Sequence, residues 1–342
     1  MIQADNNNVQ TLPATTTTQE NAAPHLGVAV VLPCYKSRDH VAAVIETLPD
    51  LVGIIICVDD ACPDKTTMVV KDRFQHDKRV HVLEHEHNQG VGGAVLTGWE
   101  YAAANGADIL IKMDSDGQMD PAMIEELIAP LLAGKADYAK GNRFYSRSSF
   151  AGMPPFRIFG NGLLSFASKA ASGYWTTLDP LNGFVALRAD VFRHLDTARI
   201  ARRFRFESDL LAQLYLEEVV VADVNMPARY GSETSNFQAS RQLLPFVSGY
   251  MRNALRRILY TYFVRDFNAG SLQLVFAIVF GLLALLTGVP PWILSAATGE
   301  ASASGTVIMP AVFAIFSLQS FLGFLNEDVS RGANLRKNWR RR

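Results

Sequence analysis

The sequence predicts an α/β domain, a mostly parallel sheet with helices on both faces, followed by an amphipathic helix and an apolar two-helix hairpin. Three observations predict it. Continuous apolar runs of strand length alternate with helix-period segments from Val28 to about Leu132, and strands buried on both faces of a parallel sheet read this way. Three of those runs end in polar residues, Pro33-Cys34-Tyr35, Asp59-Asp60 and Asp114-Ser115-Asp116. Ligands of open α/β sheets bind at such carboxyl ends. Two C-terminal stretches, Leu272 to about Ala297 and Thr306 to Leu325, are almost wholly apolar, and each is long enough to cross roughly 30 Å of hydrocarbon.

Taken in order, residues 1–25 are rich in Asn, Gln, Thr and Ala with few large apolar side chains. They cannot bury a core, and they predict a disordered tail. Val28 to Leu32 is a strand, Asp39 to Leu48 a helix, and Gly53 to Val58 a second strand. Thr66 to Gln75 is a helix, Val80 to Leu83 a strand, and Gly92 to Asn105 a helix. Ile109 to Met113 is the strand leading into the acidic stretch, and Pro121 opens the next helix, as proline does at a first helical position. Asn161 lies with Arg157 at the start of a helix that runs to about Ser172. Phe184 to Leu187 and Val219 to Ala222 are later strands. The three cysteines, Cys34, Cys57 and Cys62, fit no zinc spacing and read as reduced, partly buried thiols. A net charge of −1 marks no general nucleic-acid binder.

The stretch Lys112-Met113-Asp114-Ser115-Asp116-Gly117-Gln118 carries the chemistry. In extended chain, residues two apart point the same way. Asp114, Asp116 and Gln118 can therefore present two carboxylates and an amide oxygen to one point. That set suits Mg²⁺ or Mn²⁺ shared with a phosphate-bearing ligand; the bland reading is a polar turn after a strand. Asn88-Gln89-Gly90-Val91-Gly92-Gly93 is not a dinucleotide fingerprint, because position 95 is Val95 and the segment does not follow the first strand. It reads as a glycine-rich turn into a helix that either faces the cleft or packs closely. His85 and His87 read as solvated loop residues, with no third metal ligand nearby.

Gln242 to Phe263 is amphipathic, with Phe246, Val247, Tyr250, Met251, Leu255, Ile258, Leu259 and Tyr262 on one side and Arg252, Arg256 and Arg257 on or near the other. Ahead of two apolar spans it reads as an interfacial helix. Arg252, Arg256, Arg257 and Arg265 precede the hairpin, and Arg331, Arg336, Lys337 and Arg340 to Arg342 follow it. The loop between the spans holds Glu300 and no Lys or Arg. The positive-inside rule then places both flanks in the cytoplasm. The expected organisation is a tail (1–25), a cytosolic domain (26–238), amphipathic juxtamembrane helices (239–268), two transmembrane helices (269–326) and a basic cytosolic tail (327–342). The expected location is a cell inner membrane, multi-pass, with the catalytic domain and both termini cytoplasmic.

As a set, Leu32-Pro33-Cys34-Tyr35, Val58-Asp59-Asp60-Ala61-Cys62-Pro63-Asp64-Lys65-Thr66, Asn88-Gln89-Gly90-Val91-Gly92, Asp114-Ser115-Asp116-Gly117-Gln118, Gly141-Asn142-Arg143 and Asp179-Pro180-Leu181-Asn182-Gly183-Phe184 resemble the inverting family 2 glycosyltransferases of the polyprenyl-phosphate sugar synthase type. The resemblance implies a GT-A fold that binds a nucleotide-sugar. It implies that Pro33, Tyr35, Asp59, Asp60 and Asp114 line the nucleotide-sugar pocket. Asp114, Asp116 and Gln118 would hold Mg²⁺ or Mn²⁺, while Arg143, Arg157 and Asn161 would receive the acceptor phosphate. Asp179 resembles the candidate base. The implied reaction moves a sugar, UDP-glucose being the favoured donor, to a polyprenyl phosphate such as undecaprenyl phosphate. A homo-oligomer is a further implication.

The sequence departs from the family pattern at Ala61-Cys62, at Gly117 and in the weakly basic loop Arg229-Tyr230-Gly231-Ser232-Glu233. The last departure disfavours mannose. The alternatives are a GDP-mannose-dependent synthase, a membrane polysaccharide synthase and a non-catalytic scaffold. The polysaccharide synthase would need more spans and a Gln-x-x-Arg-Trp motif. The scaffold would be expected to have lost the acidic cluster.

Overall fold

The structure is a computed structural model describing residues 27–145, 155–203, 205–227 and 239–338, without the side chains of residues 155–158, 161, 239–245 and 336–338. Seven strands form one sheet: β1 (Val28–Cys34), β2 (Val52–Asp59), β3 (Val80–Glu84), β4 (Ile109–Lys112), β5 (Tyr138–Asn142), β6 (Val185–Arg188) and β7 (Val221–Asn225), in the order β3-β2-β1-β4-β6-β5-β7. The pairings β1–β2, β2–β3, β1–β4 and β5–β7 are parallel; β6 runs antiparallel to both its neighbours, β4 and β5. The sheet is thus mostly parallel, with one reversed strand, β6, between β4 and β5.

Helices cover both faces. On one face, α3 (Val91–Ala104), α6 (Ala189–Phe192) and α7 (Phe206–Leu216) bury Trp99, Phe192, Phe206 and Leu210 against Val31, Leu110 and Leu187. On the other, α1 (Val41–Glu46), α2 (Thr66–Arg73) and α4 (Ile124–Leu132) bury Ile45, Val70 and Leu127 against Val30, Ile55 and Ile111. Alternate residues of each central strand feed opposite cores, which is why these strands are apolar throughout. A short 3₁₀ turn, Pro121–Met123, opens α4, and the Asp120 carboxylate caps it by accepting from the Ala122 N–H at 3.2 Å.

Beyond the sheet, α5 (Pro155–Ser172) packs against α8 (Ala239–Leu259), which passes through a π-helical turn, Tyr260–Arg265, into α9 (Ala269–Thr298) and α10 (Ser304–Asn338). Asn268 and Ser271 form a capping box at the start of α9, and Gly299 closes its end at φ +74°. Pro290 and Pro291 lie inside the helix, so they do not end the first span. α9 and α10 are both long and apolar enough to cross a membrane, with mean hydropathies of 2.5 and 1.9. They pack closely where small residues meet: a Cβ on Gly281 would touch Ser317, one on Gly288 would meet Pro310, and Ser317 Oγ donates to the Ala277 carbonyl at 2.8 Å. Small-residue contact of this kind is how helices associate without help from water.

Two expectations for α8 change. Its apolar residues divide between two faces: Phe246 and Tyr250 are buried against α5, whereas Val247, Met251, Leu255 and Leu259 remain exposed. Arg257, expected on the polar face, is buried and ion-paired with Asp328 of α10.

Candidate active site

The three polar strand ends do meet, because β2, β1 and β4 are neighbours running the same way. At the end of β1, Pro33 is half-buried and Tyr35 is exposed. Lys36, in left-handed backbone at φ +58°, places its ammonium 5.6 Å from the Tyr35 ring. At the end of β2 both aspartates turn inward. Asp59 accepts from the Cys62 N–H at 2.7 Å and from Thr67 Oγ1 at 2.5 Å. Asp60 accepts from the Gln89 and Gly90 N–H groups, each at 2.7 Å, and meets His85 Nδ1 at 2.9 Å. These carboxylates brace the loops around the cleft, and most of their lone pairs are used by the chain itself.

The Asp60 contacts also decide the glycine-rich turn. The N–H groups leading into α3 already have an internal anion, and a Cβ on Gly90 or Gly92 would overlap the carbonyl of Arg202 or Ala201. The close-packing reading therefore holds there. His85 is not a solvated loop residue: its other ring nitrogen lies 3.0 Å from Thr97 Oγ1, and its side chain is only 7% exposed.

The acidic stretch converges by a different route from the one its alternation suggests. β4 ends at Lys112, and Asp114 to Gln118 form a turn in which Gly117 takes φ +79°. Left-handed backbone of this kind favours glycine. Ser115 points inward, is buried, and ties the turn to β1 by donating to the Pro33 carbonyl at 2.7 Å and meeting Ser37 Oγ at 2.7 Å. Asp116 Oδ1 accepts from the Gln118 N–H at 3.0 Å. Asp114, Asp116 and Gln118 still line one cavity of about 190 Å³, together with Lys112, Arg143 and Glu207. Among the described residues, no three His, Cys, Asp or Glu side chains form a cage for a metal ion. Two carboxylates and an amide on one wall fit instead a hard divalent cation that completes its shell with phosphate oxygens and water.

The opposite wall is built around Asp179, which is 2% exposed. Arg143 grips it with Nε at 2.8 Å and Nη2 at 3.2 Å, and Asn182 Nδ2 adds a bond at 3.1 Å. Burial pushes the Asp179 carboxyl up, but the hydrogen bonds and charge of Arg143, with the charge of Lys140, more than offset it and hold the group below the usual carboxylate range. The contacts of the Asp179 carboxylate are those that aim Arg143. The Arg143 side chain, 41% exposed, lines the cavity from this anchor. Arg157 and Asn161 lie on α5, with side chains outside the described residues, and the loop Arg229 to Glu233 is outside them altogether.

Two cavity residues were not given a role by sequence reasoning. These are Glu207 and Lys112, and Lys112 reads only as part of the strand Ile109 to Met113. Lys112 is 1% exposed, and its ammonium donates to Asp114 Oδ1 at 2.9 Å and to the Gly183 carbonyl at 3.1 Å. A Cβ on Gly183 would overlap that ammonium. A lysine inside an otherwise apolar strand was the available signal, since lysine is almost never buried without a partner.

Residues 29–196 match the model of the family described as Glycosyl transferase family 2. A UDP-N-acetylglucosamine–dolichyl-phosphate N-acetylglucosaminyltransferase of Methanococcus voltae is 28% identical over 59% of this chain and 86% of its own length. An undecaprenyl-phosphate mannosyltransferase of Micrococcus luteus is 28% identical over 54% of this chain and 75% of its own. A polyprenol monophosphomannose synthase of Mycolicibacterium smegmatis is 29% identical over 53% and 69%. Among solved structures, glucosyl-3-phosphoglycerate synthase of Mycobacterium tuberculosis, in complex with Mn²⁺, UDP-glucose and phosphoglyceric acid, superposes with a TM-score of 0.50 at 21% identity, over 68% of this chain and 79% of that one. That likeness concerns the fold, and it agrees with the mixed sheet and its helices. The chain carries a glycosyltransferase family 2 domain in the GT-A fold.

Proposed function

We propose that this glycosyltransferase moves one sugar from a nucleotide-sugar to a polyprenyl phosphate at the cytoplasmic face of a cell inner membrane. The observation that carries the reading is one cavity shared by the Asp114-Asp116-Gln118 turn and Arg143, in a chain that also holds two helices long enough to span a bilayer. The named relatives that act on dolichyl, undecaprenyl or polyprenol phosphates support the acceptor class.

The chemistry asks little of a base. A phosphate monoester oxygen is already anionic near neutral pH, so it attacks the anomeric carbon directly. The new bond joins that carbon to the lipid phosphate, the bond to the nucleoside diphosphate breaks, and the configuration inverts. Asp114, Asp116 and Gln118 would hold Mg²⁺ or Mn²⁺, and such a cation, when bound, neutralises charge on the departing diphosphate. Arg143, aimed by Asp179, meets the acceptor phosphate with a planar fork suited to it. Arg157 and Asn161 are assigned to the same phosphate. Tyr35 and Pro33 border the nucleotide, with Asp59 and Asp60 bracing the loops around it. The lipid tail stays in the bilayer, which accounts for a catalytic domain tethered by α9 and α10, with arginines flanking the hairpin on the cytoplasmic side.

For the donor, UDP-glucose is the first candidate. The relatives that transfer mannose favour GDP-mannose as the second. The test offers purified protein in detergent radiolabelled UDP-glucose, UDP-N-acetylglucosamine and GDP-mannose with undecaprenyl phosphate, in Mg²⁺, Mn²⁺ or EDTA. Label entering the lipid phase from one donor, and lost in EDTA, is the expected result. No labelled lipid from any donor, with the protein folded, contradicts the proposal.

A further inference from the structure

In the proposed reaction the anomeric carbon is bonded first to the diphosphate and then to the acceptor phosphate. The transferred sugar must therefore lie between the acidic turn and Arg143. The cavity joining them, at about 190 Å³, is smaller than the roughly 300–1,000 Å³ of pockets for drug-sized ligands and suits a single sugar ring. Its remaining polar lining comes from Lys112, Asp120, Asn182 and Glu207. Lys112 has nothing left to offer a ligand: its three N–H bonds are directed to Asp114, Gly183 and Glu207, the last at 3.4 Å. Asn182 is occupied too, donating to Asp179 and accepting from the Phe184 N–H. Asp120 caps the turn into α4.

Glu207 differs. It sits in the first turn of α7 with its side chain 13% exposed. It meets Lys112 on one side and its own backbone N–H. A carboxylate has about four acceptor positions, so lone pairs remain toward the cavity. Burial pushes its carboxyl up and the charge of Lys112 opposes this, as expected of a group shielded from water.

Resting on the proposed reaction, we infer that Glu207 selects the donor sugar. Its cavity-facing oxygen accepts hydrogen bonds from ring hydroxyls of a neutral hexose or N-acetylhexosamine, and Lys112 is its fixed counterion. A uronate is rejected, because its carboxylate would face the Glu207 carboxylate in the cavity. A deoxy sugar leaves the buried acceptor unpaired, the situation in which sites built for a hydroxyl discriminate strongly.

The test compares wild type, Glu207→Gln and Glu207→Ala as full-length protein in detergent with Mn²⁺. Calorimetry measures Kd for UDP, GDP, UDP-glucose, UDP-N-acetylglucosamine, GDP-mannose and UDP-glucuronate, and transfer to undecaprenyl phosphate is assayed in parallel. The expected result is unchanged affinity for the sugar-free nucleoside diphosphate. The extra affinity contributed by the sugar disappears in Glu207→Ala and returns in part in Glu207→Gln. For the donor that wild type uses, kcat/KM falls by about 30-fold or more in Glu207→Ala, consistent with losing a buried hydroxyl partner. Unaltered donor discrimination in Glu207→Ala overturns the inference and leaves the proposed reaction standing. Loss of UDP and GDP binding together with the sugar increment also overturns it, since that marks a structural role. Wild type that binds nucleotide-sugars but transfers none overturns the proposed reaction, and this inference with it.

Discussion

Paired charges at the hairpin junction and paired charges in the cleft are finished differently. At the junction of the domain and the hairpin, Asp328 of α10 is 1% exposed. It accepts from Arg257 Nη1 at 2.5 Å and Nη2 at 3.0 Å, from Trp175 Nε1 at 2.8 Å and from Tyr262 OH at 3.0 Å. Arg257 also donates to the Ala170 carbonyl at 3.0 Å and lies over the Tyr215 ring. In the cleft, the Asp114 side chain is 37% exposed and Arg143 41%, each anchored by a nearly buried partner, Lys112 and Asp179. A buried charge held by a buried counter-charge and further hydrogen bonds ties structure together; a half-exposed one can also meet a ligand. The junction therefore ties α10 to α8, and the cleft is where the proposed reaction would place the substrate charges.

That contrast can be broken most forcefully at the junction. Removing one partner of a buried ion pair costs about 3–5 kcal/mol, so Asp328→Ala is expected to lower unfolding stability in detergent by that amount. The Kd of the folded variant for UDP with Mn²⁺ should stay that of wild type. A large loss of UDP affinity would show that the two regions are not separate in function.

A smaller effect, with a pH signature, is expected in the cleft. Arg143→Met removes charge-assisted bonds worth about 1–2 kcal/mol, the low end because the guanidinium is partly exposed and screened. The sign follows from linkage. Asp179 is held below its unfolded value, so its contribution is present above the unfolded pKa, near 4, and is lost as pH falls through the folded pKa. Without Arg143, the buried carboxyl moves up. The Tm deficit of Arg143→Met should accordingly be largest near pH 7 and shrink as pH falls toward 4. A deficit independent of pH would remove the Arg143–Asp179 pairing from the account.

The smallest expected effect sharpens the map of the cleft. Ser115→Ala deletes the link between the acidic turn and the Pro33–Ser37 loop and should cost about 1 kcal/mol. Because that loop carries Tyr35, the KM for the donor should rise more than kcat falls. Equal loss in both would place Ser115 in the chemistry instead of in loop positioning.

Much of this was readable in the residues, for identifiable reasons. The apolar runs ending in Pro33, Asp59 and Asp114 mark adjacent parallel strands, because a strand buried on both faces has no polar alternation to confuse it. The reversed direction of β6 was not readable, since Val185-Ala186-Leu187 looks the same in either orientation. The acidic turn was found for its composition, but its backbone was misjudged: the chain turns at Gly117 in left-handed geometry, and the three side chains line one cavity without strand alternation. Asp179 was found, but its contacts depend on Arg143, 36 positions away in the chain and beside it in the fold. Arg257 carried the appearance of a polar-face residue, and only Asp328, 71 positions later, shows that it is buried. Glu207 was hidden for the same reason, as its partner Lys112 lies on β4, far from α7 in the chain.

The most direct test of the central claim is transfer of labelled sugar to undecaprenyl phosphate in lipid nanodiscs by wild type and Asp116→Asn, with thermal unfolding followed on both. Wild type is expected to label the lipid. The variant should retain the wild-type Tm and lose at least about 10²–10³-fold in rate, the scale of removing one electrostatic contributor to a transition state. Asp116→Asn transferring at the wild-type rate would contradict the assignment of the cleft.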